Sequence, residues 1–116
     1  MNRPKTEKTD NRVVFAAMSK NNFYLREHII KFILECDHTP TCAFMMFSYF
    51  LLDTVDRKRL IKANNDLIER SDELWVFGEI SDGVEKEIGL AKKRNMPIYY
   101  YEINTKKILF ERIDSI

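Results

Sequence analysis

Apolar residues fall along this chain in two rhythms, short unbroken runs and helical stripes, which alternate from residue 13 to residue 101. The run Val13-Val14-Phe15-Ala16-Ala17 predicts a buried strand. Residues 18–22 are polar and read as a loop. Residues 23–35 predict a helix, with Leu25, Ile29, Phe32 and Ile33 on one stripe and Asn21 or Asn22 as its N-cap. Residues 40–44 are a weaker second strand. Residues 45–52 are apolar on nearly every side. Residues 56–70 predict a second long helix with Leu60, Ala63, Leu67 and Ile68 inward. The clearest strand is 73–78, where Leu74, Trp75, Val76 and Phe77 run unbroken, as in a strand covered on both faces. A helix over 83–94 follows, with Val84, Ile88 and Ala91 on one face. Residues 97–101 are a fourth strand, and 107–110 add an edge strand.

Strands alternating with helices predict an α/β fold with a parallel sheet of four to five strands and helices on both faces. Right-handed crossovers favour a Rossmann-like, flavodoxin-like three-layer sandwich with strand order 2-1-3-4. The switch point then lies between the first and third strands, and ligands bind beyond the carboxyl ends of the strands there. The loops 18–22 and 79–83 are therefore expected to face one crevice.

A length of 116 residues sets a single domain. Residues 1–11 are charged and aperiodic and read as a mobile tail, leaving 12–116 as the domain. A net charge of +1, from 19 basic and 18 acidic residues, supplies no electrostatic footprint for a nucleic-acid polymer. Cys36 and Cys42 match no zinc or redox spacing, and reduced, buried thiols in a cytoplasmic protein are expected. The start has no apolar signal-peptide core, and no apolar run approaches the ~20 residues of a membrane span. The stretch 43–52 is too apolar for a helix with one wet face, so it is core or a homo-oligomer contact. Trp75 is core.

Chemistry concentrates after the third strand, in Gly78 and the turn Ser81-Asp82-Gly83. A helix starting there aims free N–H groups and its dipole at an anion or a hydroxyl-rich ligand, and Gly83 lets the backbone come close. Asp82 with Glu85 fits an acidic capping box. Glu87 differs: it stands three residues after Val84 and one before Ile88, so it borders the buried face. A carboxylate there can point into the crevice, and the helix N-terminus helps keep it ionised, as a nucleophile requires. The competing reading is an exposed surface glutamate. Ser19 either donates to a ligand or caps the next segment. Asn64 and Asn65 sit mid-helix, where asparagine is unfavourable, so they are either a solvated face or pocket groups. His28, on a helix surface, and His38, in a loop, show no ligand spacing, so no metal is expected. No cofactor is expected either.

Ala63-Asn64-Asn65-Asp66-Leu67, then Ser71-Asp72-Glu73-Leu74, then Ser81-Asp82-Gly83 and Glu87-Ile88-Gly89-Leu90-Ala91 resemble the nucleoside 2-deoxyribosyltransferase family. The chain resembles more closely the small relatives of that family in bacteria and their phages. They share the run D-E-L-W-V-F-G … S-x-G-x-x-x-E-I and a segment like Phe50-Leu51-Leu52-Asp53 before an arginine such as Arg57. The resemblance covers roughly residues 12–101 and several motifs in order with conserved spacing. It implies a Rossmann-like fold and transfer of a deoxyribosyl group between bases. It also implies Glu87 as the nucleophile and Asp72 as the group that binds and protonates the departing base. Taken with the reading of the loops, Ser19, Ser81, Asp82, Gly83 and Asn65 are the residues expected around a nucleoside or nucleotide. Ser81 stands where the transferases carry an aspartate, which favours hydrolysis or binding over transfer, whereas Glu87 favours chemistry. The expected order of functions is an enzyme at an N-glycosidic bond, then a nucleotide-binding module without turnover, then a structural subunit.

Overall fold

Two sets of side chains alternate along the central strands and define the two faces of the sheet. The computed structural model describes residues 11–42 and 49–114. Its sheet has the order β2-β1-β3-β4-β5, with β1 Val13–Met18, β2 Thr39–Thr41, β3 Glu73–Phe77, β4 Ile98–Asn104 and β5 Leu109–Ile113. β1 pairs in parallel with β2 and with β3, in the latter from Val14 opposite Glu73 to Met18 opposite Phe77. β3 pairs in parallel with β4. The helices are α1 Arg26–Glu35, α2 Tyr49–Thr54, α3 Arg57–Glu69 and α4 Asp82–Lys93.

Val14, Ala16, Met18, Trp75, Phe77 and Tyr101 pack with Leu25, Ile29 and Ile33 on one face. Phe15, Ala17, Leu74 and Val76 pack on the other with Ile68 of α3 and Val84, Ile88 and Ala91 of α4. This period-2 division is what a strand buried on both sides requires. Phe32 fills the first face edge-on to Phe77 and Tyr101, whose rings stack at 5.0 Å. Burial there pushes the Tyr101 phenol up to about 12. The crossovers after β1 and β3 leave by opposite faces, because α1 serves the first core and α4 the second.

Several expectations shift in detail. The helix expected over 23–35 is split: a 3-10 segment, Lys20–Leu25, precedes α1, and its N-cap is Ser19 rather than Asn21 or Asn22. The second strand is Thr39–Thr41, and residues 43–48 of the expected strand and apolar stretch lie outside the described residues. So does the expected tail, apart from Asn11. The fifth strand corrects the expected all-parallel sheet. β5 runs antiparallel to β4, Tyr100 opposite Ile113 and Asn104 opposite Leu109, so the sheet is mixed. The connection between β4 and β5 is too short for anything but a hairpin. Asn104 Oδ1 shapes that turn by accepting from the backbone of Lys106 and Lys107. Among the described residues no helix is long and apolar enough to cross a membrane. Cys36 and Cys42 are unbridged, half-buried and buried respectively, and burial pushes the Cys36 thiol up.

Candidate functional site

At the carboxyl edge of the parallel strands, the loops after β1 and β3 touch. Ser19 follows β1 and is buried. Its Oγ accepts from the Asn21 N–H at 3.2 Å, so the capping reading holds for it. Asn21 Nδ2 then crosses to Glu79 Oε1 at 3.2 Å. Asn22 packs against Gly78, where an added Cβ would lie 2.6 Å from Asn22 Nδ2. Gly78 has φ +78, a left-handed conformation that glycine adopts without steric cost. That turn stops β3 and swings the chain toward α4. The sequence offers Asn21 and Asn22 as helix caps only, and Glu79 as an ordinary loop residue, not as groups that join the two loops. The one signal for them was the polar character of the residues directly after two apolar strands.

Ser81 is the N-cap of α4, its Oγ accepting from Val84 N–H at 3.4 Å and its carbonyl from Glu85 N–H at 2.8 Å. The capping box expected between Asp82 and Glu85 is thereby corrected by one residue: Asp82 is the first helical residue, not the cap. Asp82 and Glu85 lie in the first turn, where negative charge opposes the positive end of the helix dipole. The space a side chain would take at Gly83 is open. Ser19, Ser81, Asp82 and Gly83 thus share one edge of the sheet, tied together by the Asn21–Glu79 bridge.

Glu87 stands deeper, five residues into α4, about 8 Å along the helix axis from Asp82. It is half-buried beside Val84, Ile88 and Ala91. Asn64 Nδ2 of α3 donates to Glu87 Oε2 at 2.8 Å. Among the described residues Oε1 accepts no hydrogen bond. Burial raises the Glu87 pKa above the ordinary carboxylate value, and the Asn64 hydrogen bond opposes that shift in part. The helix N-terminus therefore does not keep this carboxyl as readily ionised as its position suggests. Asn65, the residue named from sequence, is half-buried next to Asn64 on α3, but it is Asn64 that reaches the glutamate.

Asp72 is placed elsewhere. It precedes β3 at the amino edge of the sheet, and its Oδ2 accepts from the Val13 N–H at 2.7 Å. Asp72 N–H donates in turn to the Val13 carbonyl at 2.7 Å, so the residue locks the starts of β1 and β3 together. α4 approaches from the opposite edge. Asp72 is thus engaged with the start of β1, whereas Glu87 is engaged with α3. The same amino edge holds a second polar group. Glu73 is buried, paired with Arg12 at 3.1 Å and accepting from Trp75 Nε1 at 2.9 Å. His38 there accepts from the Arg12 backbone N–H at 3.1 Å and meets Trp75 edge-on, while His28 is exposed on α1. Among the described residues no cluster of three or more His, Cys, Asp or Glu side chains could hold a metal ion.

A family model described as a domain of unknown function (DUF7768) matches residues 13–101, from the start of β1 into β4, and so spans both loops of the carboxyl edge and the Asn64–Glu87 pair. No curated protein matches the chain.

Proposed function

This chain belongs to the DUF7768 family, and we propose that it is a nucleoside 2-deoxyribosyltransferase-like protein that cleaves or transfers at the N-glycosidic bond of a nucleoside or nucleotide. We read its fold as Rossmann-like, a flavodoxin-like three-layer sandwich, because the order β2-β1-β3-β4 and the two-faced core fit that plan. The reading rests on one observation: a half-buried carboxylate, Glu87, held through one oxygen by a neutral amide of the neighbouring helix. In this mechanism Glu87 Oε1 attacks C1′ of the sugar. The C1′–N bond breaks, and its electron pair leaves on the base nitrogen, which takes a proton from water. Water or the nitrogen of an acceptor base then attacks C1′, gives up a proton to solvent, and releases the carboxylate. The sugar and any phosphate lie toward Ser81, Asp82 and Gly83 at the helix start. No cofactor enters this chemistry. We take the protein to work in the cytoplasm as a homo-oligomer on a small molecule, with no nucleic-acid polymer or membrane as partner.

The test is chromatography of free base released from a panel of nucleosides and nucleoside 5′-monophosphates, with and without an acceptor base. Release by wild type that disappears in Glu87→Ala supports the reading, and the acceptor lanes separate transfer from hydrolysis. A folded wild-type protein that releases no base from any member refutes it. One observation favours a second reading, a nucleotide-binding module without turnover: Asp72, the expected acid, is engaged at the far edge of the sheet. A nucleotide retained on the purified protein, with no base release, is the result that reading expects.

A further inference from the structure

Glutamine and asparagine amides differ from lysine and arginine in one respect that matters to a nucleophile. They orient a carboxylate without cancelling its charge. Asn64 sits in the middle of α3, where an asparagine is a poor helix former, and on the side that carries Leu67 and Ile68 toward the second core. Its amide crosses to a different helix, 23 residues on in sequence, and meets Glu87 Oε2 at 2.8 Å. Among the described residues the other charged contact between the two helices, Arg94 at the C-cap of α4 with Glu69 at 3.7 Å, is exposed and near their carboxyl ends. It leaves the Asn64–Glu87 bond as the polar tie at the half-buried level.

We infer that Asn64 is a positioning residue for Glu87: its amide holds the carboxylate by Oε2 in one orientation and leaves the Oε1 lone pairs to form the bond to C1′. The inference rests on the reaction proposed above and adds the group that aims its nucleophile. With the amide gone, the carboxylate can rotate about its side-chain torsions, and misplacement of a reacting atom by an ångström costs up to about a hundredfold in rate. The hydrogen bond also favours the ionised form, so its loss moves proton release from Glu87 to higher pH. A second carboxylate in place of the amide moves it further in the same direction, because two like charges at hydrogen-bond distance resist joint ionisation.

The experiment compares wild type, Asn64→Ala and Asn64→Asp by three measurements: thermal unfolding, titration of the Glu87 carboxyl carbon by NMR, and the pH profile of base release. All three proteins are expected to be folded. The Glu87 titration midpoint should rise from wild type to Asn64→Ala and again to Asn64→Asp, with the acidic limb of kcat following it. At its own optimum Asn64→Ala should lose roughly ten- to a hundredfold in kcat with KM little changed. A merely structural Asn64 would lower thermal stability and move the midpoint while leaving kcat at the pH optimum unchanged. Base release by wild type with an unchanged kcat at the pH optimum in folded Asn64→Ala overturns the role of Asn64 alone, wherever the midpoint lies. Absence of base release from wild type overturns the reaction itself, and with it any catalytic use of the pair, whatever the titration shows.

Discussion

Replacing Gly78 by alanine puts a methyl group where the backbone and a neighbour both resist it. Gly78 has φ +78, and an L-residue held in the left-handed region loses about 1–2 kcal/mol to the contact between its Cβ and the following carbonyl. The new Cβ would also lie 2.6 Å from Asn22 Nδ2 and 3.0 Å from Ile103 Cδ1. The first contact is with the end of a flexible side chain, so Asn22 swings away rather than breaking the fold. The second needs a shift of a few tenths of an ångström. Together these cost about 2 kcal/mol, at the upper end of the backbone term. For a domain of this length that is a fall in Tm of about 8 °C. Gly89 is the internal control. It lies inside α4 with nothing within 4 Å of an added Cβ, so Gly89→Ala gains roughly 0.5–1 kcal/mol of helix propensity. The same chemical change should therefore have opposite signs at the two positions. Thermal and urea unfolding measure both, with an unchanged urea slope showing that the compactness of the denatured state is the same. Gly78→Ala within 0.5 kcal/mol of wild type would refute the argument, as would a loss at Gly89 equal to that at Gly78.

Three further substitutions test neighbouring parts of the structure. Burial raises the Glu87 pKa in the folded state, so the stability tied to its proton is present below the unfolded pKa and lost as pH rises through the folded one. Glu87→Gln should thus raise Tm at neutral pH, and that advantage should vanish at about pH 3.5, below the ordinary glutamate value. Asp72→Ala removes the carboxylate that receives the Val13 N–H and should cost roughly 1 kcal/mol in urea unfolding while leaving the kcat for base release unchanged. A kcat that collapses in a stable Asp72→Ala would return that aspartate to the reaction. Ser81→Ala removes the cap of α4 and should cost about 0.5–1 kcal/mol, since its bond to Val84 is long at 3.4 Å; equal stability to wild type would show that Ser81 is not the working cap.

The chain's own pattern determined what depends on near neighbours. The unbroken run Leu74-Trp75-Val76-Phe77 is a strand covered on both faces because each residue's burial follows from period-2 alternation, whatever lies above and below. The spacing of Val84, Ile88 and Ala91 marked the inward face of α4, and Leu67 and Ile68 that of α3, for the corresponding reason at period 3.6. The contact of the loops after β1 and β3 followed from the alternation of elements, because right-handed crossovers leave few ways to order the strands. Cap identities were less legible. Ser19 and Ser81 compete with the asparagines and aspartate beside them, all of them good caps, and one residue of helix phase decides among them. The direction of β5 was in principle readable from the short connection after Asn104.

Only the tertiary structure decided which distant side chains meet. Asn64 rather than Asn65 reaches Glu87, Asn21 reaches Glu79, and Asp72 turns to Val13 instead of the crevice. A hydrogen bond tolerates an error of a few tenths of an ångström, whereas one residue of register moves a side chain about 3.3 Å along a strand or 100° around a helix. Periodicity assigns a residue to a face, and so it located the core and the edge where the loops converge. It carries no information on the relative height of two helices packed on that face, and that height is what sets Asn64 against Glu87.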